Sequence, residues 1–248
     1  MPGPTVALRS WPSAASAQLA NGEHYVWGYV WPRTLDGQPF PALHTPVRVA
    51  RAPQFTGNGH RCELDDAGRG FCSGDNRYGE VGDGTLEERL DFVPVALDAP
   101  LAGIEGPRWR TFGVLRGGGV VAWGEGRRLG LGDDAPERVP VPTRVPGLED
   151  AIGVSPALGA CAWSAAGEVW CWGVLGGLPR TQTPTRAPGL EPARKVAVGG
   201  AHTCVLKHDA SVWCIGDFLV RGLGYDFPPS DVATRVPLPF DEEPGAAP

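Results

Sequence analysis

Lysine is almost missing from this 248-residue chain, methionine occurs once, and no apolar run is long enough to cross a membrane as a helix. Lysine stands only at 195 and 207, so the positive charge is nearly all arginine. With a formal net charge of −6 and a pI near 5.4, the surface offers no broad electrostatic footprint for DNA or RNA. Residues 1–20 lack a basic start followed by an apolar stretch, which predicts no signal peptide. No Gly-x-Ser-x-Gly nucleophile elbow occurs. Gly124-Glu125-Gly126-Arg127-Arg128-Leu129 lacks the third glycine of a dinucleotide loop and follows a hairpin instead of opening a βαβ unit. The histidines at 24, 44, 60, 202 and 208 do not combine with cysteines at the two-to-four-residue knuckle spacing of zinc sites. The acidic pairs Asp65-Asp66, Glu87-Glu88, Asp133-Asp134 and Glu242-Glu243 read as solvated turns, not paired acid/base catalysts. We therefore expect no catalytic residue, no cofactor and no metal, and a chain that is not an enzyme.

Glycine (36) and proline (26) make up a quarter of the residues, a content that means either disorder or very frequent turns. The 42% hydrophobic content and nine tryptophans decide for turns, since a disordered chain could not supply that apolar material. The stretch Cys161-Ala-Trp-Ser-Ala-Ala-Gly-Glu-Val-Trp-Cys171-Trp172-Gly173 shows the building unit. Folding about its midpoint, Ala166, places the two cysteines opposite each other on antiparallel strands. A three-residue loop fits, with Gly167 in the left-handed position.

The glycine two places after the second cysteine recurs as Gly28, Gly74, Gly124, Gly173 and Gly216, at intervals of 43 to 50 residues. Cys62/Cys72 and Cys204/Cys214 repeat the cysteine spacing, while Ser16/Val26 and Phe112/Ala122 occupy the same places without cysteine. The turn glycine recurs as Gly22, Gly68 and Gly118, and Ala210 replaces it in the last copy, either in a different turn or left-handed at a cost of about 1–2 kcal/mol. Tryptophan precedes the marker at Trp27, Trp123 and Trp172, which predicts one packing slot used between neighbouring units. A glycine-spaced loop follows, clearest in the stretch 74–85, with the same spacing expected for 124–132 and 216–224. Last comes a proline-led β-branched run around Pro46, Pro94, Pro142 and Pro184, matched by 233–236, read as a strand that starts at its proline and has one free edge.

Four strands per repeat is the arithmetic of a propeller blade. The expected fold is all-β, a propeller of about five four-stranded repeats. A closed five-bladed ring is favoured over an open arc that dimerises or a fragment of a longer propeller. Residues 1–7 read as a tail and 8–238 as one domain, with repeats at 8–49, 50–97, 98–148, 149–190 and 191–238; the acidic, proline-bearing 239–248 reads as disordered. The chain starts at a pre-hairpin strand and ends on a proline-type strand, so the C-terminal strand is expected to complete the first repeat's sheet and remove two open edges.

His202-Thr203-Cys204 and His60-Arg61-Cys62, the tryptophan–glycine step, the loop 75–85 and the Thr45-Pro46-Val47-Arg48-Val49 strand together resemble the repeats of the regulator of chromosome condensation family. The paired cysteines are similar to its bacterial branch. The resemblance spans about residues 8–238. It implies a β-propeller, usually of seven blades, that serves as a scaffold for protein contacts. Family members include an exchange factor for a small GTPase, a plant ultraviolet sensor and bacterial β-lactamase inhibitors. This chain has five repeats, not seven, and no long insertion corresponding to the exchange factor's β-wedge.

The disulfide candidates are Cys62, Cys72, Cys161, Cys171, Cys204 and Cys214. Oxidised, they point to an extracellular or envelope setting, against which the missing signal peptide favours the cytoplasm; reduced, they are small buried hydrophobes. His60 and His202 are expected to hydrogen-bond within their own repeats. Arg48, Arg144, Arg186 and Arg235 hold equivalent places, read as a structural ring paired with carboxylates. The partner-binding candidates are Arg77, Tyr78, Arg127, Arg128, Phe218 and Arg221, on the variable middles of the glycine-spaced loops. Packing of Tyr78 and Phe218 against the next repeat is the alternative. The expected function is a non-catalytic protein-interaction scaffold, as regulator or inhibitor of a partner protein, acting as a monomer or self-associating to complete a ring. A carbohydrate-binding propeller suggested by exposed tryptophan, and a hydrolase or lyase with its site at the axis, are the alternatives.

Overall fold

In the computed structural model, which describes residues 5–10, 14–21, 23–28, 34–35, 38–39, 43–49, 59–216 and 230–236, the hairpin over 161–171 forms as its sequence requires. Cys161 faces Cys171 across the ladder, Gly167 donates its N–H to the Ser164 carbonyl, and Ser164 donates to Glu168. The loop has three residues, with Gly167 at φ 87°. The same two bonds close the turns at Asp65/Arg69, Leu115/Gly119 and Lys207/Ser211. Ala210 takes the left-handed place at φ 65°, so alanine accepts the conformation instead of changing the turn.

Strands follow one another as antiparallel meanders. Sheet 1 comprises Thr5–Ser10, Ala14–Leu19, His24–Gly28 and Leu43–Val49. Sheet 2 shows three strands, His60–Leu64, Gly70–Gly74 and Arg89–Pro94. Sheet 3 comprises Leu101–Glu105, Arg110–Leu115, Val120–Glu125 and Arg138–Arg144. Sheet 4 comprises Ala151–Pro156, Gly159–Ser164, Val169–Gly173 and Thr181–Arg186. Sheet 5 comprises Lys195–Val198, His202–Leu206, Val212–Gly216 and Ser230–Val236. Ser16 faces Val26, the register expected of a copy without cysteines. All three cysteine pairs are cross-strand disulfides with Cα–Cα distances of 4.0–4.1 Å.

Two expectations are corrected. The C-terminal strand Ser230–Val236 pairs with Val212–Gly216 in sheet 5, while sheet 1 draws all four strands from the N-terminal repeat. The first and last repeats therefore each complete their own sheet. The fourth strand also begins before its proline: Pro46 is the fourth residue of Leu43–Val49 and Pro184 the fourth of Thr181–Arg186. Opposite the marker glycine the register slips, so that two hairpin residues span four of the fourth strand: Val26↔Val47 is followed by Gly28↔Leu43, and Cys171↔Thr185 by Gly173↔Thr181. Proline lies within this irregularity, where its missing N–H breaks no ladder bond. The marker glycines are required there. A Cβ on Gly74 would sit 2.2 Å from the Gly59 carbonyl oxygen, and one on Gly124 would sit 2.4 Å from that of Trp109.

The chain divides into two compact units, one formed by Met1–Thr111, Trp123–Glu125 and Arg138–Pro142, the other by Phe112–Ala122, Gly126–Glu137 and Thr143–Pro248. In the first, Cys62, Cys72, Val81, Leu101, Ile104 and Trp123 are buried. In the second, Cys161, Val169, Cys171, Leu190, Val196, Val205 and Ile215 form one cluster, with Trp163 and Trp213 packed on it. Trp123 and Trp172 are fully buried and play the same part in each unit. Trp123 Nε1–H donates to the Glu80 carbonyl at 2.8 Å, and Trp172 Nε1–H to the Arg128 carbonyl at 3.0 Å, tying each ring to the loop of the preceding repeat. Among the described residues no helix is long and apolar enough to cross a membrane.

Candidate functional site

The tryptophan bonds fix which loop residues correspond between repeats. Gly82 lies against Trp123 Nε1 and Gly130 against Trp172 Nε1. Gly84 N–H donates to the Pro140 carbonyl and Gly132 N–H to that of Gln182. Gly130 is thus the counterpart of Gly82, and Gly132 of Gly84, so the third repeat's loop is two residues shorter than its glycine count implies. Spacing alone matched Gly132 to Gly82, because glycine recurs every second place at 130 and 132.

The longer loop, 75–85, is consumed by its own structure. Asn76 is buried and accepts the Val81 N–H through Oδ1 at 2.9 Å, while its Nδ2 donates to Asp83, Thr85 and the Glu87 carbonyl. Arg89 holds Asp83 at 2.6 Å. Of the predicted contact residues here, exposed Arg77 lies on Asp75 with Nε–O distances of 2.9 Å. Tyr78 is half-buried, its ring tilted against Trp109 at 6.0 Å.

Beneath this loop runs a buried polar chain that sequence reasoning missed. His60 is hydrogen-bonded to Thr111 Oγ1 at 2.9 Å, and Thr111 donates onward to the Glu80 carbonyl at 2.9 Å. Because the threonine proton goes to Glu80, His60 Nε2 is the donor in this network. His60 thus reaches the third repeat, correcting the expectation of a bond within its own. Burial lowers the imidazole to about 4, opposed by the Asp75 carboxylate. Glu80 is fully buried and burial raises its carboxyl to about 7; Oε2 accepts the Tyr78 N–H at 2.8 Å. No local signal marks Glu80, whose carbonyl is held by Trp123 and Thr111, 43 and 31 residues away.

In the second unit the shorter loop leaves an open cleft of about 250 Å³. Arg127, Arg128, Arg180, Thr181, Gln182 and the chain at Gly173–Val174 line it. The Arg128 backbone is pinned at φ 69° by the Trp172 bond to its carbonyl and by its own N–H donated to Gln182 Oε1 at 3.3 Å. Its guanidinium reaches the Leu158 carbonyl at 3.5 Å. Arg127 and Arg180 are exposed and, among the described residues, meet no carboxylate within ion-pair distance. A second cleft of about 280 Å³ shares Arg127 and Gln182 and adds Asp133 and Glu137. Arg180 and Gln182 escaped sequence reasoning because they lie where the fourth repeat loses its loop glycine. That departure at Thr181 is the signal that could have found them.

Three arginines of the fourth strands stand opposite an aromatic residue, a feature beyond the carboxylate pairing expected of them. Arg48 faces Tyr25, Arg186 faces Trp170 and Arg235 faces Trp213 across the ladder. Arg186 lies over the Trp170 ring at 5.3 Å and also holds Glu168 and Glu191 at 2.7 and 2.8 Å. Phe218 and Arg221 lie outside the described residues. Trp109, Trp163, Trp170 and Trp213 are half-buried and Trp123 and Trp172 buried.

No family model matches the chain. Among solved structures it is similar to human WBSCR16, with a TM-score of 0.76 at 16% identity over 95% of this chain and 67% of that one. It is also similar to yeast RCC1 (Prp20) in its complex with Kap60, with a TM-score of 0.72 at 20% identity over 96% of this chain and 62% of that one. Prp20p from Saccharomyces cerevisiae, described with its binding to Gsp1p and histones, matches at 0.72 and 19% over 96% and 64%. The chain thus spans about two thirds of the length of these structures, and at such identities the likeness is one of fold, an RCC1-like β-propeller fold.

Proposed function

We propose that this chain is a non-catalytic protein-interaction scaffold of the cysteine-containing, bacterial kind, which regulates or inhibits a partner by binding it through its repeat loops. The observation that carries this reading is the contrast between two loops. The loop 75–85 spends its polar groups on itself, whereas the shorter loop leaves Arg127, Arg128 and Arg180 around an open cleft on buried, disulfide-stapled strands. Polar groups on loops carried by a rigid scaffold are what selective protein contacts use, and arginine is among the residues that dominate their energetics. The similar yeast protein is described as bound to Kap60, and with binding properties to Gsp1p and histones, so the fold accommodates protein partners of more than one kind.

The test is capture from native extract on the immobilised chain, followed by cross-linking and mass spectrometry. One stoichiometric protein partner whose cross-links fall on the repeat loops is expected. Turnover of a substrate by the purified chain, or recovery of no retained protein, overturns the reading.

A further inference from the structure

Several other arginines among the described residues are neutralised by neighbours. Arg69 lies on Asp65, Arg77 on Asp75, Arg89 on Asp83, and Arg186 on Glu168 and Glu191. The cleft of Arg127, Arg128 and Arg180 is the reverse: three guanidinium groups line it and, among the described residues, no acidic one does, on a chain whose net charge is −6. Its remaining polar lining, Thr181 and the Gln182 amide, adds further hydrogen-bonding groups, and among the described residues no aromatic ring lines it. Such a site suits a small oxyanion held by forked N–H donors and lacks the stacking surface a nucleobase uses. Across Arg127 and Gln182 the adjoining cleft changes sign, with Asp133 and Glu137 in its wall. Arg128 cannot drift from this arrangement. Its carbonyl is held by buried Trp172 and its N–H by Gln182.

Resting on the scaffold reading above, we propose that the paired clefts form a charge-reading site that takes an acidic side chain of the partner between Arg127, Arg128 and Arg180, and a basic one beside Asp133 and Glu137. A carboxylate is the group matched to the first cleft, because arginine forks pair with it bidentately and its volume is small enough for a space of about 250 Å³. Arg127, common to both clefts, holds the two half-sites in fixed register. A partner segment with only one charge would fill one half and leave the other hydrated.

The experiment is a titration of the full chain with three capped tripeptides, glutamate-glycine-lysine, glutamate-glycine-glutamine and glutamine-glycine-lysine, followed by the Nε–Hε resonances of arginine. Saturable shifts at Arg128 and Arg180 are expected with the first two peptides, at least about threefold tighter for the doubly charged one, and no arginine shift with the third. Sulfate is the free-anion arm and should displace the glutamate peptides competitively; saturable sulfate binding without any peptide binding overturns the proposal. R180Q should weaken the doubly charged peptide at least fivefold with the remaining spectrum unmoved, and D133N/E137Q should erase the advantage of the lysine. Equal shifts at Arg108 and Arg116, outside both clefts, would show charge screening only and overturn the assignment. Peptide binding without any captured partner would leave the clefts assigned and the scaffold reading wrong. A captured partner whose retention ignores R180Q and D133N/E137Q would do the opposite.

Discussion

Glu80 and His60 oppose each other in their effect on stability, and substituting Glu80 should expose the balance. The folded chain keeps the Glu80 proton up to about pH 7, whereas the unfolded chain releases it near the ordinary 4.5. The unfolded state therefore gains as pH rises, and this contribution is whole below 4.5 and lost as pH climbs through 7. At 1.36 kcal/mol per tenfold change in proton affinity, the loss approaches about 3 kcal/mol. His60 runs the other way. Its folded value of about 4 lies below the ordinary 6.5, so its contribution is whole above 6.5 and lost as pH falls through 4, again by about 3 kcal/mol. Between 4.5 and 6.5 the two slopes nearly cancel, and these groups leave the wild-type stability almost flat. Glu80→Gln keeps an acceptor for the Tyr78 N–H and removes one slope. Relative to wild type it should gain up to about 3 kcal/mol between pH 4.5 and 8, and its own stability should climb from pH 4 to 6.5. Urea unfolding across that range, with carbon NMR of the Glu80 carboxyl, measures both quantities. A variant-minus-wild-type difference that ignores pH, or a folded carboxyl titrating near 4.5, would refute the reasoning.

Other consequences concern the frame of the repeats. Cys161→Ala with Cys171→Ala opens a hairpin closed over a separation of 10 residues and should cost about 3 kcal/mol in unfolding free energy by the loop-entropy argument; a loss below about 0.5 kcal/mol would show that the staple adds nothing. Gly130→Ala should destabilise more than Gly132→Ala in thermal melts. Both glycines have positive φ, but a Cβ at 130 would sit 2.8 Å from Val145 Cγ1, whereas at 132 the nearest side chain is 3.8 Å away. Equal losses would contradict the matching of Gly130 to Gly82. Deleting residues 230–248 strips the edge of sheet 5, so hydrogen exchange should accelerate at 212–216 and stay unchanged at 43–49, the reverse of what strand exchange between the termini would give.

Much of the frame was legible in the chain because it is local. Turn length and the alternation of side chains set the register of a hairpin, so the spacing of Cys161 and Cys171 was enough to place them face to face, and Ser16 opposite Val26 in a copy without cysteine. The repeat of Trp-Gly likewise announced a buried slot, which Trp123 and Trp172 fill. The fourth strand, the loop equivalences and the sites were decided elsewhere. Where the last strand pairs depends on which open edge it meets, and no residue within it states that choice. Glycine at both 130 and 132 left the loop alignment ambiguous until the Trp172 ring chose one. Arg77 and Arg89 meet carboxylates of their own loop, but Arg186 also reaches Glu168, 18 residues back, and Arg127 and Arg180 converge on one cleft from loops 53 residues apart and find none among the described residues. Sequence by itself determined the unit and its period, through local turn and strand geometry. Tertiary structure alone decided which loop is buried and which borders an open cleft, because burial is settled between repeats, as the Trp123 ring on the Glu80 carbonyl and the Trp172 ring on that of Arg128 illustrate, not within them.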